Sequence, residues 1–307
     1  MHFAERILHT KTILIDRLDL PECRDKRIEV DVLRLDMIHP VISGNKWFKL
    51  KYYLKEAIEK NHKTILSFGG AYSNHIVATA CAAKMEGLHS IGIIRGEKPA
   101  ELSQTLQTAQ QYGMEFLFLS RAEYKRKSSA DFHALLPDRF QGSYIIPEGG
   151  SGILGIKGSE EILSLAGGTR YEHIFCATGT GTTLIGLANA SSAQQYISGI
   201  SVLKGTAGAW QKDIQPLIHP EKRDYCKMYH NYHFGGYAKK APELIHFMNW
   251  LYDQSSIPSD FVYTAKLFYA VIDLVRKNYF ATGTKILLIH SGGLQGNLSL
   301  APGTLNF

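Results

Sequence analysis

The sequence has few cysteines and no long apolar run. Its four cysteines form no CxxC pair and no Cys/His spacing suited to zinc, so we expect no metal site and a reducing, cytoplasmic location. No stretch approaches the roughly 18 apolar residues of a membrane span. Residues 1–10 contain no apolar core of signal-peptide length. We therefore expect neither a membrane partner nor secretion.

A strong charge of one sign is also missing. The 34 Lys and Arg residues exceed the 28 Asp and Glu residues by six, which gives a net charge of +6 and a pI near 9.0. The densest basic stretches, near 121–127 and 222–227, are short and mixed with acids, which is typical of solvated surface. We therefore expect no nucleic-acid partner. A modest positive field suits small anionic ligands.

The order of apolar and polar residues predicts an α/β fold. Between residues 47 and 206, helical and strand periods alternate with short breaks, and such repeated β-α units predict mostly parallel sheets with helices on both faces. Within this alternation, helices are predicted near 99–113 and 121–136. Two further helices, at about 241–254 and 263–278, precede one last strand, KILLIH. At roughly 150 residues per domain, 307 residues correspond to two domains or one large one.

Four strands end in unusual loops, which is where ligands bind in open α/β sheets. The loops are SFGGAYSNH, IPEGGSG, CATGTGTT and IHSGGLQGN. In the third, Gly179 and Gly181 lie among threonines directly before an apolar helix, whose N-terminus could hold a phosphate. The loop lacks the lysine of a P-loop and the GxGxxG of a dinucleotide fold. Taken alone, the pattern favours a plain strand-to-helix turn.

Three other positions also have a structural and a functional interpretation. Ser73 and Asn74 are good helix N-cap residues, or they form a carboxylate site at that helix start. Lys46 follows a Gly-Asn turn and is either a solvated lysine or the amine that tethers an aldehyde cofactor. Thr264 opens an apolar helix and either caps it or contacts a ligand nitrogen.

Taken together, these segments resemble the family of 1-aminocyclopropane-1-carboxylate (ACC) deaminases and D-cysteine desulfhydrases, which use pyridoxal 5'-phosphate (PLP). The similarity runs from about Arg34 to Asn297. The matching segments, in family order, are SGNKWFKLKYYL, SFGGAYSNH, IPEGGSGILG, GTGTTLIG, DFVYTAK and HSGG. The resemblance implies fold type II, the tryptophan synthase β-like fold, with two parallel-sheet three-layer αβα domains. Residues 1–48 and 147–307 would form the large PLP-binding domain and residues 49–146 the small one. It also implies a homodimer.

The resemblance assigns roles to individual residues. Lys46 resembles the Schiff-base lysine, Asn74 the partner of the cofactor's phenolic oxygen, and Ser73 the residue that meets the substrate carboxylate and helps to move protons. Tyr263 and Tyr237 resemble the pair of tyrosines that face the substrate. His75 would also contact the substrate. The phosphate cradle would consist of Thr180, Gly181, Thr182 and Thr183.

The chain departs from the ring-opening members of this family at several positions. Those members have Glu where this chain has Thr264, Leu where it has Ser291, and Gln where it has His75. A carboxylate at the pyridine nitrogen keeps that nitrogen protonated, and a hydroxyl cannot do so. Thr264 and Ser291 at the cofactor resemble the desulfhydrase branch instead. Trp47 and Phe48 also replace the Thr-Arg that the family prefers.

The sequence therefore predicts a PLP-dependent lyase or deaminase that converts D-cysteine to pyruvate, hydrogen sulfide and ammonia. In this reaction Lys46 takes the α-proton, and Tyr263, Tyr237 or His75 protonates the leaving group. One alternative is ACC deamination to 2-oxobutyrate and ammonia. Another is a degenerate protein that binds PLP without catalysis. An absorbance scan would show whether PLP is bound, and pyruvate detection would then separate an enzyme from such a binding protein. A dinucleotide-dependent oxidoreductase is a third alternative, against which the missing GxGxxG counts.

Overall fold

Two separate sheets organise the chain. The computed structural model describes residues 13–129, 132, 136–167 and 169–307. Residues 1–10, on which the expectation about secretion depends, lie outside these ranges, as does part of the helix predicted near 121–136.

The strands are β1 (Ile15–Arg17), β2 (Glu29–Leu33), β3 (Thr64–Gly69), β4 (His89–Arg95), β5 (Glu115–Leu119), β6 (Tyr144–Ile146), β7 (His173–Thr178), β8 (Tyr196–Ser201), β9 (Cys226–Tyr229) and β10 (Lys285–Ile289). The α-helices are α1 (Pro21–Asp25), α2 (Asn45–Glu59), α3 (Asn74–Met85), α4 (Gln104–Gln111), α5 (Arg121–Lys125), α6 (Ile153–Glu160), α7 (Thr182–Ala190), α8 (Ala207–Ala209), α9 (Pro242–Ser255) and α10 (Thr264–Arg276).

Strand pairing agrees with the predicted parallel architecture. The larger sheet has the order β1-β2-β10-β7-β8-β9, and the smaller has the order β5-β4-β3-β6. Among the strands of the described ranges, only β1 runs antiparallel to its neighbour, and every other pair is parallel. Parallel strands covered on both faces are buried apolar runs, as in β10 (KILLI). The α/β prediction is therefore confirmed.

A shared core joins the two sheets. One cluster of buried side chains includes Ile65 from β3, Leu184 from α7 and Leu287 from β10. Helix α2 approaches α6 so closely that a Cβ on Gly158 would lie 1.8 Å from the Phe48 carbonyl oxygen. The start of α2 is therefore fixed between the sheets, where the strands' carboxyl ends open into a cavity.

The elements differ from the predictions mostly at their ends. The helix expected near 99–113 spans only Gln104–Gln111, and the one expected near 121–136 is α-helical only over Arg121–Lys125. Strands β1, β2 and β9 were not predicted. Within the described ranges, no helix is long and apolar enough to cross a membrane. The domain boundaries remain a prediction, although all four strands of the smaller sheet fall between residues 64 and 146.

Candidate active site

A cavity of about 880 Å³ opens at the carboxyl ends of the strands, a size usual for cofactor and ligand sites. It brings together most of the predicted site residues. Those that line it are Lys46, Ser73, Asn74, His75, Thr180, Gly181, Thr183, Tyr237, Tyr263 and Ser291. Thr182 and Thr264 are not among the lining residues.

A close approach between two loops places Lys46. Gly44 precedes α2 with φ +67°, and a Cβ on it would lie 1.9 Å from the carbonyl oxygen of Ser291, after β10. Only glycine allows this contact. Lys46 Nζ donates to Asn45 Oδ1 at 2.9 Å, and Asn45 Nδ2 donates to Thr183 Oγ1 at 2.8 Å. Asn45 therefore connects the lysine to the glycine-threonine loop.

The Lys46 amine is easier to deprotonate than an ordinary lysine. Desolvation lowers its pKa to about 8, and the nearby Asp260 carboxylate opposes part of that effect. A substantial neutral fraction is therefore present at pH 7 to 8, and the neutral amine is the nucleophilic form.

Lys49 is a second cavity lysine, and it was not among the site residues predicted from the sequence. It is buried, and its Nζ lies 3.5 Å from Thr180 Oγ1. Burial, and then the positive charge of Lys46, place its pKa well below the usual value. Its position one helical turn after Lys46 was the available signal, because residues three apart share a helix face.

The glycine-threonine loop forms a concave turn before α7. Gly181 has φ +84°, which favours glycine, and the Thr180 and Thr182 hydroxyl oxygens lie 3.0 Å apart. The first N–H groups of α7 have no acceptor within the helix and carry its positive dipole end. Thr182 is buried and its side chain does not line the cavity, so any contribution of that residue to an anion site would come from its backbone N–H.

Ser73 and Asn74 lie at the start of α3, where the N-cap interpretation agrees with the structure and the carboxylate site stays a prediction. Ser73 is the N-cap, and its Oγ accepts from the Ile76 N–H at 3.4 Å. Asn74 Nδ2 reaches the Gly293 carbonyl only at 3.5 Å, and its buried Oδ1 has no hydrogen-bond partner among the described residues. The buried amide therefore has hydrogen-bonding capacity left for a ligand.

His75 adopts one tautomer. The single Ser67 hydroxyl proton is donated to the Ile146 carbonyl at 2.9 Å, so Ser67 Oγ must accept from His75 Nε2 at 2.8 Å. The proton is on Nε2, and the buried Nδ1 has no partner within the described part of the chain. Burial, followed by Lys46 and Lys49, keeps the pKa of His75 well below 6.5. The neutral ring can accept a proton but is a poor donor to a leaving group.

The two predicted tyrosines form a pair. Their rings are 6.0 Å apart at 77°, and Tyr263 donates its hydroxyl to Tyr237 Oη at 3.4 Å. Lys46 Nζ lies 5.8 Å from the centre of the Tyr263 ring. Burial raises the pKa of both phenols, so both carry a proton at neutral pH.

Thr264 departs from the expected arrangement. Its side chain is fully buried, donates to Asp260 Oδ1 at 2.8 Å and accepts from the Asp260 N–H at 2.7 Å. Contact with a cofactor nitrogen would require the hydroxyl to leave Asp260. Asp260 Oδ2 also accepts from the N–H groups of Val262 and Tyr263, and Oδ1 accepts from the N–H of Thr264, the first residue of α10, at 2.9 Å, so this carboxylate caps α10. Asp260 was not predicted to have a role, although Asp shortly before an apolar helix is a capping signal.

The donors in the cavity fit PLP. An aldehyde requires a neutral amine, which Lys46 supplies. A phosphate dianion requires hydrogen-bond donors, which the Lys49 amine and the free N–H groups at the α7 N-terminus supply. The Asn74 Nδ2 donor, which reaches the Gly293 carbonyl only at 3.5 Å, suits a phenolic oxygen. Ser291 is 8% exposed and lines the same cavity.

Comparisons with known proteins agree with this fit. Residues 10–292 match the family model described as pyridoxal-phosphate dependent enzyme. A putative 1-aminocyclopropane-1-carboxylate deaminase of Pyrococcus abyssi is 30% identical over 89% of this chain and 87% of its own length. A mitochondrial bifunctional D-cysteine desulfhydrase/1-aminocyclopropane-1-carboxylate deaminase of Arabidopsis thaliana is 28% identical over 87% and 73%. The crystal structure of an ACC deaminase homologue superposes with a TM-score of 0.80 at 28% identity, covering 97% of both chains.

Proposed function

This chain belongs to the family of pyridoxal-phosphate-dependent enzymes, and we propose that it eliminates the β-substituent of a small amino acid, with D-cysteine as the preferred substrate. The products are pyruvate, hydrogen sulfide and ammonia. One observation carries the proposal: the amine of Lys46, with a pKa of about 8, faces the Tyr263–Tyr237 pair in a cavity that also contains the α3 N-terminus.

In this proposal, Lys46 would hold the cofactor through Nζ. The cofactor's phosphate would be held by Lys49, Thr180, Gly181, Thr183 and the backbone N–H of Thr182. Asn74 would contact its phenolic oxygen, and Ser291 its ring nitrogen. When bound, PLP supplies an aldehyde for the substrate amine and a ring that withdraws electrons from the α-carbon.

The protein's own groups bind and orient the substrate. Ser73 Oγ and the free N–H groups at the start of α3 would bind the α-carboxylate, which the helix dipole favours. His75 Nδ1, in the cavity wall, can accept a hydrogen bond from a donor group of the substrate. These contacts would place the α-hydrogen toward Lys46 Nζ, which takes that proton as a general base.

The tyrosine pair moves the second proton. Both phenols are protonated at neutral pH, and the 3.4 Å contact between their oxygens allows one to replenish the other. A proton donated to the β-sulfur lets it depart as hydrogen sulfide. His75 is less suited to this step because its Nε2 proton is held by Ser67.

The side chains at 264 and 291 favour D-cysteine over ACC. Thr264 is neutral and bound to Asp260, so position 264 brings no carboxylate to the ring. A less electron-withdrawing ring suits expulsion of a thiolate better than opening of an unactivated carbon ring. ACC deamination is the second candidate, because relatives at 28 to 30% identity have that activity in their names.

A substrate panel tests the proposal. Purified holoenzyme is given D-cysteine, L-cysteine, D-serine, 3-chloro-D-alanine and ACC, and the keto acid is identified by mass spectrometry. The proposal expects the highest kcat/KM for D-cysteine, with pyruvate and sulfide formed in equal amounts. Faster formation of 2-oxobutyrate from ACC would establish the second candidate instead.

We further propose that residues 1–48 with 147–307 and residues 49–146 form the two domains around this cavity, and that the enzyme is a cytoplasmic homodimer. The four cysteines are all free and buried, as a reducing compartment allows. Light scattering on the eluting protein would measure the assembly.

A further inference from the structure

Tyr237 lies in a loop with an unusual backbone. Phe234, Gly235, Gly236 and Ala238 all have positive φ, at +49°, +84°, +119° and +53°. Phenylalanine and alanine rarely adopt this region, and such conformations persist only where surrounding contacts hold them. The loop must therefore be tied to a more rigid element.

Lys266 provides that tie. The side chain lies in the first turn of α10 and is fully buried, and its Nζ donates to the Gly236 carbonyl at 2.8 Å and to the Val202 carbonyl at 3.3 Å. A buried ammonium requires such partners. Burial lowers the pKa of Lys266 to about 8, and the nearby Asp260 carboxylate opposes part of that effect, so the amine still carries its charge at pH 7.

The same helix start carries the other member of the tyrosine pair. Tyr263 directly precedes α10, so Lys266 connects the element that holds Tyr263 to the loop that holds Tyr237. We infer that Lys266 is a positioning residue that fixes the distance between the two phenols through its hydrogen bond to the Gly236 carbonyl. The kinetic consequence rests on the proposed function, whereas the loop anchoring does not.

The chain contains a matched control. Lys26 Nζ donates to the carbonyls of Val275 and Arg276, at the opposite end of α10, at 2.6 and 2.8 Å. Both lysines therefore tie α10 to another segment through backbone carbonyls, but only Lys266 reaches the Tyr237 loop. Lys26→Met should destabilise the helix end without affecting the tyrosine pair.

Hydrogen exchange measured by mass spectrometry tests the anchoring without any substrate. In Lys266→Met, peptides covering 233–239 should exchange at least about fivefold faster than in wild type, because local opening governs exchange. Lys26→Met should leave these peptides unchanged. If peptides covering 233–239 exchanged in Lys266→Met at the same rate as in wild type, the inference would be overturned. If Lys266→Met does not fold, Lys266→Gln, which is shorter and neutral, replaces it, and the same outcomes apply.

A double-mutant cycle tests the kinetic consequence. Lys266→Met should lower kcat more than it changes KM, and Tyr237→Phe should then cost less in the Lys266→Met background than in wild type. Independent, multiplicative effects would show that Lys266 does not act through Tyr237, and would overturn that part of the inference. Absence of turnover in wild type would instead count against the proposed function, with the exchange result still deciding the anchoring.

Discussion

Replacement of Ser73 by alanine removes two interactions that can be measured separately. The first is the N-cap hydrogen bond, in which Ser73 Oγ accepts from the Ile76 N–H at 3.4 Å. The second is the proposed contact with the substrate carboxylate. The cofactor's own proposed partners, Lys46 and Asn74, keep their side chains.

The two lost interactions differ in their expected free energies. Loss of an N-cap costs about 0.5–2 kcal/mol, and the long 3.4 Å contact favours the lower half of that range. A hydrogen bond to a carboxylate contributes about 1.5–3 kcal/mol, which corresponds to a loss of roughly ten- to 150-fold in kcat/KM. Activity should therefore fall far more than stability.

Ser120→Ala is the matched control. Ser120 caps α5, where its Oγ accepts from the Glu123 N–H at 3.3 Å, and it does not line the cavity. Both variants should lose similar stability in thermal unfolding and keep PLP absorbance, but only Ser73→Ala should lose activity. If Ser73→Ala lost the cofactor, or if the two variants lost activity equally, the carboxylate-site interpretation would be wrong.

Three further predictions concern the cofactor and the substrate. Thr180→Val should raise the dissociation constant for PLP about tenfold, since it removes a hydroxyl beside Lys49; unchanged affinity by fluorescence titration would exclude Thr180 from the phosphate site. The rate at which apoenzyme binds PLP should rise about fivefold between pH 7 and 8 and level off above pH 9, because the Lys46 pKa is about 8 and only the neutral amine reacts. A continued tenfold rise in rate per pH unit would indicate a lysine with an unperturbed pKa. The double variant Thr264→Glu, Ser291→Leu should shift products from pyruvate toward 2-oxobutyrate when D-cysteine and ACC compete, and should lower Tm because the new carboxylate lies against Asp260. An unchanged product ratio in folded protein would contradict the role of these positions.

Periodicity predicted the elements that build the cavity. Strands β3, β4, β7, β8 and β10 are buried apolar runs followed by glycine-rich or polar loops, a pattern specific to parallel sheets. Because such loops meet at the carboxyl edge of a sheet, the sequence could also predict that Ser73, Thr180 and Ser291 share one cavity.

Tertiary contacts explain what the pattern could not predict. Strand β2 contains Asp31, whose buried carboxylate accepts hydrogen bonds from Arg17, Arg170 and Tyr171, all distant in sequence. Lysine is usually a surface residue, yet the buried amine of Lys266 donates hydrogen bonds to the carbonyls of Val202 and Gly236, which are distant in sequence. The Thr264 hydroxyl was expected at the cofactor, but Asp260, four residues earlier, binds it first.

The claim on which the rest depends is that the Lys46 amine holds the cofactor. Holoenzyme reduced with borohydride and digested should yield one pyridoxyl-labelled peptide, with the label on Lys46, and Lys46→Ala should yield none. Lys49 lies in the same cavity and is the nearest competitor. A label on Lys49, or a label that persists in Lys46→Ala, would contradict the assignment.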